Sequence, residues 1–324
     1  MASVFNADDN EIPFFGSEVL PNPRLGFSSV HSESHVPGRH LNALLSAEEI
    51  AGVSIDEEAV RKHTAATFFS YSGVAPLPLN RDELGGPLIN FNEHNLREGF
   101  HALYALVRYR GSERAAEIAE ASIAFVFDLW NPQSGWDRQK LESEFDLRVA
   151  QDHTFITGIA RAIGPLVKYF RATGHGPALE LALTLASMAT SEYFLPDGAY
   201  NREKFGQHTH STTCVMSSLA QLADLTADSA LLGRVRAFYD NGLWDIRDGL
   251  GWVIENSNDD SPPDRGECNN TGDIVETALI LGRRGYPEYF QDAERIIRGH
   301  LLPAQLRDNS FILDPPNPSS EDGL

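Results

Sequence analysis

The 324-residue sequence is poor in cysteine, in basic charge and in long apolar runs. Its two cysteines, Cys214 and Cys268, stand far apart and match no paired metal or redox spacing. Two free, buried thiols are therefore expected. Lys and Arg total 26 against 46 Asp and Glu, a formal net charge of -20. A surface of that sign repels phosphate backbones and anionic lipid, so neither nucleic acid nor a membrane is an expected partner. No stretch approaches the roughly 18 uninterrupted apolar residues of a membrane span. Residues 1–15 lack the basic start and apolar run of a secretion signal, which makes the cytoplasm the expected compartment. Walker, GxGxxG, HExxH and GxSxG patterns are also missing. Their absence removes the sequence signal for a phosphate loop, a dinucleotide site, a zinc-protease helix and a nucleophile elbow.

What is present is helical periodicity. Residues 1–37 are rich in Asn, Pro, Ser and Gly and read as an irregular arm. Paired helices are then predicted over 41–51 and 56–71, with Ser54 and Asp56 as capping candidates. A long loop over 73–92 follows, of a length that often carries function. Leu96, Phe100, Leu103, Leu106 and Val107 recur at helical spacing up to Gly111, and Ser112 caps the partner helix. Phe155, Ile159, Ile163, Leu166, Val167 and Phe170 open a third pair, with Pro177 early in its second helix. A fourth pair covers 211–225 and 228–243, and a fifth covers 271–284 and 287–306. Residues 251–254 and 311–313 read as short ribbons.

His94, His153, His210 and Asn269 mark equivalent points, 59, 57 and 59 residues apart. A helical hairpin with a long return loop buries its second face only against neighbours of the same kind. The expected fold class is therefore all-α, an α/α toroid of helical hairpins over 38–313, (α/α)6-like. Five pairs are read where six close a ring. Either the arm and long loops fill the gap, or the natural chain continues beyond a tail at 314–324.

In such an array the inner helices all start at one rim. Reading those starts gives His94 and Arg97; Asp152 and His153; His208 and His210; then Glu267, Asn270 and Asp273. Asp, Asn, Ser and Thr favour helix starts for hydrogen-bonding reasons alone. Histidine does not, and its cation is repelled there. Glu267 is the leading acid/base candidate, with Asp273 or Asp152 as the second carboxylate, because glycosidic cleavage ordinarily uses two. His94, His153, His208, His210, Arg97 and Asn270 are expected to hold the substrate. Trp136 and Trp252, in Gly-flanked loops, offer rings on which sugar faces stack. Trp130, at a helix end, reads as core. Histidines two apart do not share a helix face, so no metal ligand set and no cofactor is expected, with zinc at His208 and His210 the lesser reading.

The stretches His208-Thr209-His210-Ser211, Gly266-Glu267 through Thr271-Gly272-Asp273-Ile274-Val275-Glu276, and Tyr289-Phe290-Gln291-Asp292-Ala293-Glu294-Arg295 leading to Leu301 and Gln305 resemble the six-hairpin glycosidase-like superfamily. Within it, the chain looks nearest to relatives of the β-L-arabinofuranosidases. The resemblance implies an (α/α)6 toroid and carbohydrate chemistry at the rim. The arabinofuranosidase pattern carries a Glu-x-Cys zinc site completed by a later Cys-Cys pair. Here Cys268 directly follows Glu267 and no cysteine comes after it, so neither that zinc site nor a cysteine nucleophile is carried over. A glycoside hydrolase is thus expected, acting on a small-molecule or oligosaccharide substrate. A lyase or epimerase on the same fold, or a non-catalytic sugar-binding or scaffold protein, is the alternative. Oligomeric state is not legible.

Overall fold

A computed structural model describes residues 5–18, 24–149, 153–258, 266–305 and 307. The chain divides into two compact units, one built on 1–152 and 168–178, the other on 153–167 and 179–307.

In the first unit, residues before the helices form two antiparallel ribbons, β1 (Phe5–Asn6) with β2 (Ile12–Pro13) and β3 (Gly16–Glu18) with β4 (Arg24–Gly26). Helix α1 (Val36–Ala51) starts earlier than its apolar periodicity indicated, because Pro37 stands in its first turn, where a missing amide donor costs nothing. It ends at Gly52, whose φ of 62° suits a residue without a side chain. Helix α2 (Glu57–Ser70) is capped by Asp56, whose carboxylate accepts from the Glu58 amide at 3.0 Å. The loop after it holds β5 (Leu79–Arg81) and β6 (Leu88–Phe91). Helix α3 (Leu96–Arg110) stops at Gly111, and Ser112 caps α4 (Glu113–Leu129) through the Ala115 amide at 3.2 Å. A small ribbon, β7 (Trp130–Asn131) with β8 (Gly135–Trp136), leads to the short α5 (Arg138–Phe145), and β9 (Arg148–Val149) pairs parallel with β6. Trp130 is 7% exposed, the core residue its position implied.

Helices α6 (Ile163–Thr173) and α7 (Gly176–Glu192) form the third hairpin, with their connection counted in the first unit. The second unit continues with the one-turn α8 (Arg202–Phe205), then α9 (Thr209–Thr226) and α10 (Ser229–Asp240), the latter capped by Asp228 at 2.9 Å. Helices α11 (Cys268–Arg283) and α12 (Glu288–Ile296) form the fifth pair. The expected ribbon at 251–254 reduces to single bridges, Arg247 with Val253 and Ile254 with Gly266. Residues 311–313 lie outside the described residues, as does the tail at 314–324.

The repeat seen in the sequence is visible as parallel inner helices. Between α1 and α3, Ser46 meets Tyr109 at 3.0 Å and Glu49 meets Arg108 at 2.5 Å, 63 and 59 residues apart. Between α9 and α11, Ser217 donates to Glu276 at 2.5 Å and Gln221 to Glu276 at 3.0 Å, 59 and 55 apart. Near the helix starts the offsets are similar, 60 residues both for the Gly38–Glu98 approach and for Thr213 donating to Asp273, so in each pair the two helices run the same way. Helix α9 is buried continuously from Thr209 to Ala223, which marks it as an inner element. The α1–α3 approach is tight enough that a Cβ on Gly38 would stand 1.8 Å from the Glu98 carbonyl oxygen. Only glycine fits there.

Among the described residues, no helix is long and apolar enough to cross a membrane. The two cysteines are not joined to each other in a disulfide; Cys214 is buried as expected, whereas Cys268 is exposed because it opens α11 from the loop side.

Candidate active site

The start of α9 is held by the segment that follows α10. The Thr209 amide donates to Glu255 at 3.2 Å, the Ser257 amide to Gln207 at 2.8 Å, and His208 bridges to Asn256. The Thr209 hydroxyl also donates to the Ile254 carbonyl. The start of α11 is held by Thr271, which donates to the Gly251 carbonyl at 2.8 Å and lies 3.0 Å from His300 Nδ1. Gly266 packs against the half-buried Trp252, since a Cβ there would lie 2.3 Å from the indole nitrogen. Trp252 therefore shapes the loop that carries Glu267.

His208 and Glu267 occupy the N-cap positions of α9 and α11, yet neither side chain caps its helix. They turn to each other instead. His208 Nε2 is 3.3 Å from Glu267 Oε2, while its Nδ1 is 2.9 Å from Ser211 Oγ. His210 lies between two carboxylates: Nδ1 is 3.4 Å from Glu267 Oε1 and Nε2 is 3.5 Å from Asp273 Oδ2. Thr213 donates to Asp273 at 3.1 Å and to Asn270 at 2.8 Å, and Asn269 donates to Glu267 at 2.5 Å. Burial grades inward, from side chains 29% exposed at His208 and 22% at Glu267 to 1% at His210. The result is a chain of polar groups, Asp273–His210–Glu267–His208–Ser211, in which His208 and Glu267 are the partly exposed members.

Imidazole and carboxylate alternate along this chain, and opposite charges at such distances favour each other. The ring of His210 fills the space between Glu267 and Asp273. These two carboxyls therefore do not stand on opposite sides of an open slot, the arrangement a glycosidic bond would need.

A second set of imidazoles is built in the first unit. His94 precedes α3, in a 3-10 turn whose entry is capped by Asn92 at 3.1 Å. It lies 8% exposed with its ring parallel to that of His35, centroids 5.8 Å apart. His31 stands edge-on to both. His35 Nδ1 is 2.9 Å from Asn95 Oδ1 and 3.5 Å from Glu98 Oε2. Glu98, fully buried, takes Arg97 at 2.8 Å and Arg39 at 3.8 Å. Trp136 donates its indole N–H to Glu93 at 2.9 Å and packs on Phe91.

Of the residues expected at the rim, His208, His210, Glu267, Asp273 and Asn270 come together in the second unit. His94 and Arg97 belong to the first unit's set. His153 is half-buried in the second unit, and Asp152 lies outside the described residues. The sequence reading missed His31, His35 and His300. For His35 the signal was available: the repeat counted back one period from His94 lands on it, 59 residues earlier. Among the described residues, two groups have donor atoms close enough to share a metal ion, His31 with His35 and His94, and His208 with His210 and Glu267.

No family model matches the chain. No curated protein matches it in sequence. Solved structures do. A D-mannose isomerase superposes with a TM-score of 0.66 at 13% identity, over 99% of this chain and 89% of its own. The unsaturated glucuronyl hydrolase of Bacillus sp. GL1 gives 0.64 at 11% identity, over 92% and 81%. A β-arabinofuranosidase gives 0.53 at 16% identity, over 85% of this chain and 46% of its own. The likeness is one of fold: the chain is all-α, as these α/α-toroid structures are.

Proposed function

From the six-hairpin glycosidase-like fold as premise, we propose that this protein is a carbohydrate-active enzyme that moves a proton on a sugar, with the His208–Glu267 pair as its acid/base. The observation that carries the reading is the position of His210, whose ring separates Glu267 from Asp273 at 3.4 and 3.5 Å. That arrangement suits proton relay better than the two opposed carboxyls of glycosidic cleavage. Isomerisation or epimerisation of a free sugar fits it. A base takes the proton from the carbon beside the carbonyl of the open-chain sugar, giving an enediolate. In isomerisation the proton returns to the neighbouring carbon while the hydroxyl proton passes to the former carbonyl oxygen; in epimerisation a proton, exchanged with water, returns to the same carbon on its opposite face. Glu267 accepts the proton, His208 shares it, and His210 with Asp273 spreads the charge. Asn270 orders the inner end through Thr213. One of the structural relatives is itself an isomerase of a free sugar.

The second reading is glycoside hydrolysis with Glu267 as the acid, favoured by its partial exposure at a helix start and by the hydrolases among the structural relatives. Its second carboxylate would come from elsewhere, with Asp152 the candidate. One experiment separates the two. The protein is incubated in D2O with a panel of aldoses, ketoses and oligosaccharides, and products are read by NMR and mass spectrometry. Deuterium gained at carbon beside the carbonyl, without new reducing ends, is the expected result. New reducing ends without carbon-bound deuterium would establish hydrolysis. Neither outcome across the panel would remove the enzymatic reading.

A further inference from the structure

The first unit's imidazole set lies outside the chemistry assigned to Glu267, and it has the construction of a ligand shell. His31 and His35 are one helical turn apart, joined by the His35 amide donating to the His31 carbonyl at 2.9 Å, so their rings project to one side. His94 enters from the start of α3. Donor nitrogens of the three all lie within 4.8 Å of one another.

Their neighbours orient them as ligands. The Asn95 amide is fixed by donating its Nδ2 to the Val30 carbonyl at 2.5 Å, which turns its Oδ1 toward His35. An oxygen acceptor at 2.9 Å places the His35 hydrogen on Nδ1, and a neutral ring then carries its lone pair on Nε2. Glu98 Oε2, 3.5 Å from the same Nδ1, reinforces that tautomer. His31 Nδ1 is likewise engaged, by the Ser28 hydroxyl at 3.2 Å. Metal-bound histidines characteristically use one ring nitrogen for the ion and give the other to a carboxylate, carbonyl or hydroxyl. Phe15 stacks on His31 at 4.3 Å and screens one side from water. The buried Glu98 carboxylate offsets part of the charge of Arg39 and Arg97, which lie 3.8 and 2.8 Å from it.

We infer that His31, His35 and His94 form a three-imidazole site for a borderline divalent transition metal of the zinc class. Neutral imidazole suits such ions, whereas magnesium and calcium favour oxygen donors. Nitrogens about 2.0–2.1 Å from a tetrahedral ion sit about 3.4 Å apart, so closure requires movements of about 1.4 Å or less, within the reach of ring rotation. Three protein ligands leave a fourth position for water or a sugar oxygen. The site is independent of the proton-transfer reading, since none of its ligands belongs to the Glu267 chain.

The test uses the full-length protein stripped with chelator and titrated with Zn(II) by calorimetry and with Co(II) by visible absorption. One equivalent is expected to bind, with the intense bands of four-coordinate cobalt. His31→Asn, at a half-buried position, and His94→Asn should each weaken binding at least about 100-fold. Asn95→Ala should weaken it by about 10- to 100-fold by loosening His35. His208→Asn should leave it unaltered, and far-UV circular dichroism verifies that each variant is folded. Failure of the wild type to bind one equivalent overturns the inference. So does binding that survives His31→Asn and His94→Asn, or that disappears with His208→Asn.

Discussion

The two histidine sets occupy the same phase of the repeat but are neutralised in opposite ways. In the second unit, His208 and His210 lie against Glu267 and Asp273 at 3.3–3.5 Å, the contacts on which the proposed proton transfer rests. In the first unit, the buried carboxylate of Glu98 is engaged by Arg97 and Arg39, and its touch on His35 fixes a tautomer. Both guanidinium groups stay charged in this range and lie 2.8 and 3.8 Å from Glu98. On the proposals made above, one scaffold position serves as a proton device in one unit and as an orienting device in the other.

The sharpest way to break that contrast is to neutralise each carboxylate with an isostere. Glu267→Gln should lower kcat/KM for the substrate found in D2O by about 10²–10⁴-fold, with the thermal midpoint nearly unchanged. Activity within a few-fold of wild type would dissolve the distinction. Glu98→Gln should do the reverse, costing about 3 kcal/mol in urea unfolding because it leaves two guanidinium groups without their buried partner. A stability loss under about 1 kcal/mol would show that Glu98 is not an anchoring anion.

The first unit holds another imidazole pair whose behaviour is structural, and it calibrates what burial alone does. His40 Nδ1 lies 2.8 Å from His63 Nε2. Burial pushes His40 down to about 4 and His63 to about 3 from the usual 6.5, His63 also feeling its neighbour's charge. Below pH 6.5 the unfolded chain takes up protons that the folded pair refuses. Stability is therefore full above that pH and falls as pH drops toward 4, by about 1.4 kcal/mol per pH unit for each histidine. His63→Met should flatten this acid limb in urea titrations between pH 4 and 6.5; an unchanged slope would place the loss elsewhere. The smallest effect is expected at Cys268. Cys268→Ser should leave turnover within about twofold, because this exposed thiol opens α11 beside Glu267 without the later cysteine pair of an arabinofuranosidase-type centre. A loss beyond about 100-fold would restore cysteine chemistry to the second unit.

Legibility followed the length of the pattern. The hairpin order and the caps at Asp56, Ser112 and Asp228 were readable because amphipathic runs of ten or more residues and local capping rules specify them. The ribbons of two or three residues before α1 carry no period, and they sat in a segment whose Pro, Ser and Gly content masked the start of α1. His31 and His35 were hidden with them. Of the site, the identities of His208, His210, Glu267 and Asp273 were readable from their common phase. Their connectivity was not: that His210 stands between the carboxyls depends on how α9 and α11 lie side by side. Trp136 was expected to present its ring to a sugar, but its N–H is committed to Glu93, a pairing 43 residues apart.

The contact at Gly38 makes α1 and α3 behave as a single gauge block. With only a hydrogen separating one backbone from the other's carbonyl, neither helix can slip lengthwise or roll without peptide striking peptide. Any adjustment of His35 toward His94 must then come from torsion within the rings' own bonds. Ligand capture in the first unit should accordingly be fast and leave the backbone in place, and crystals of the protein ought to withstand soaking.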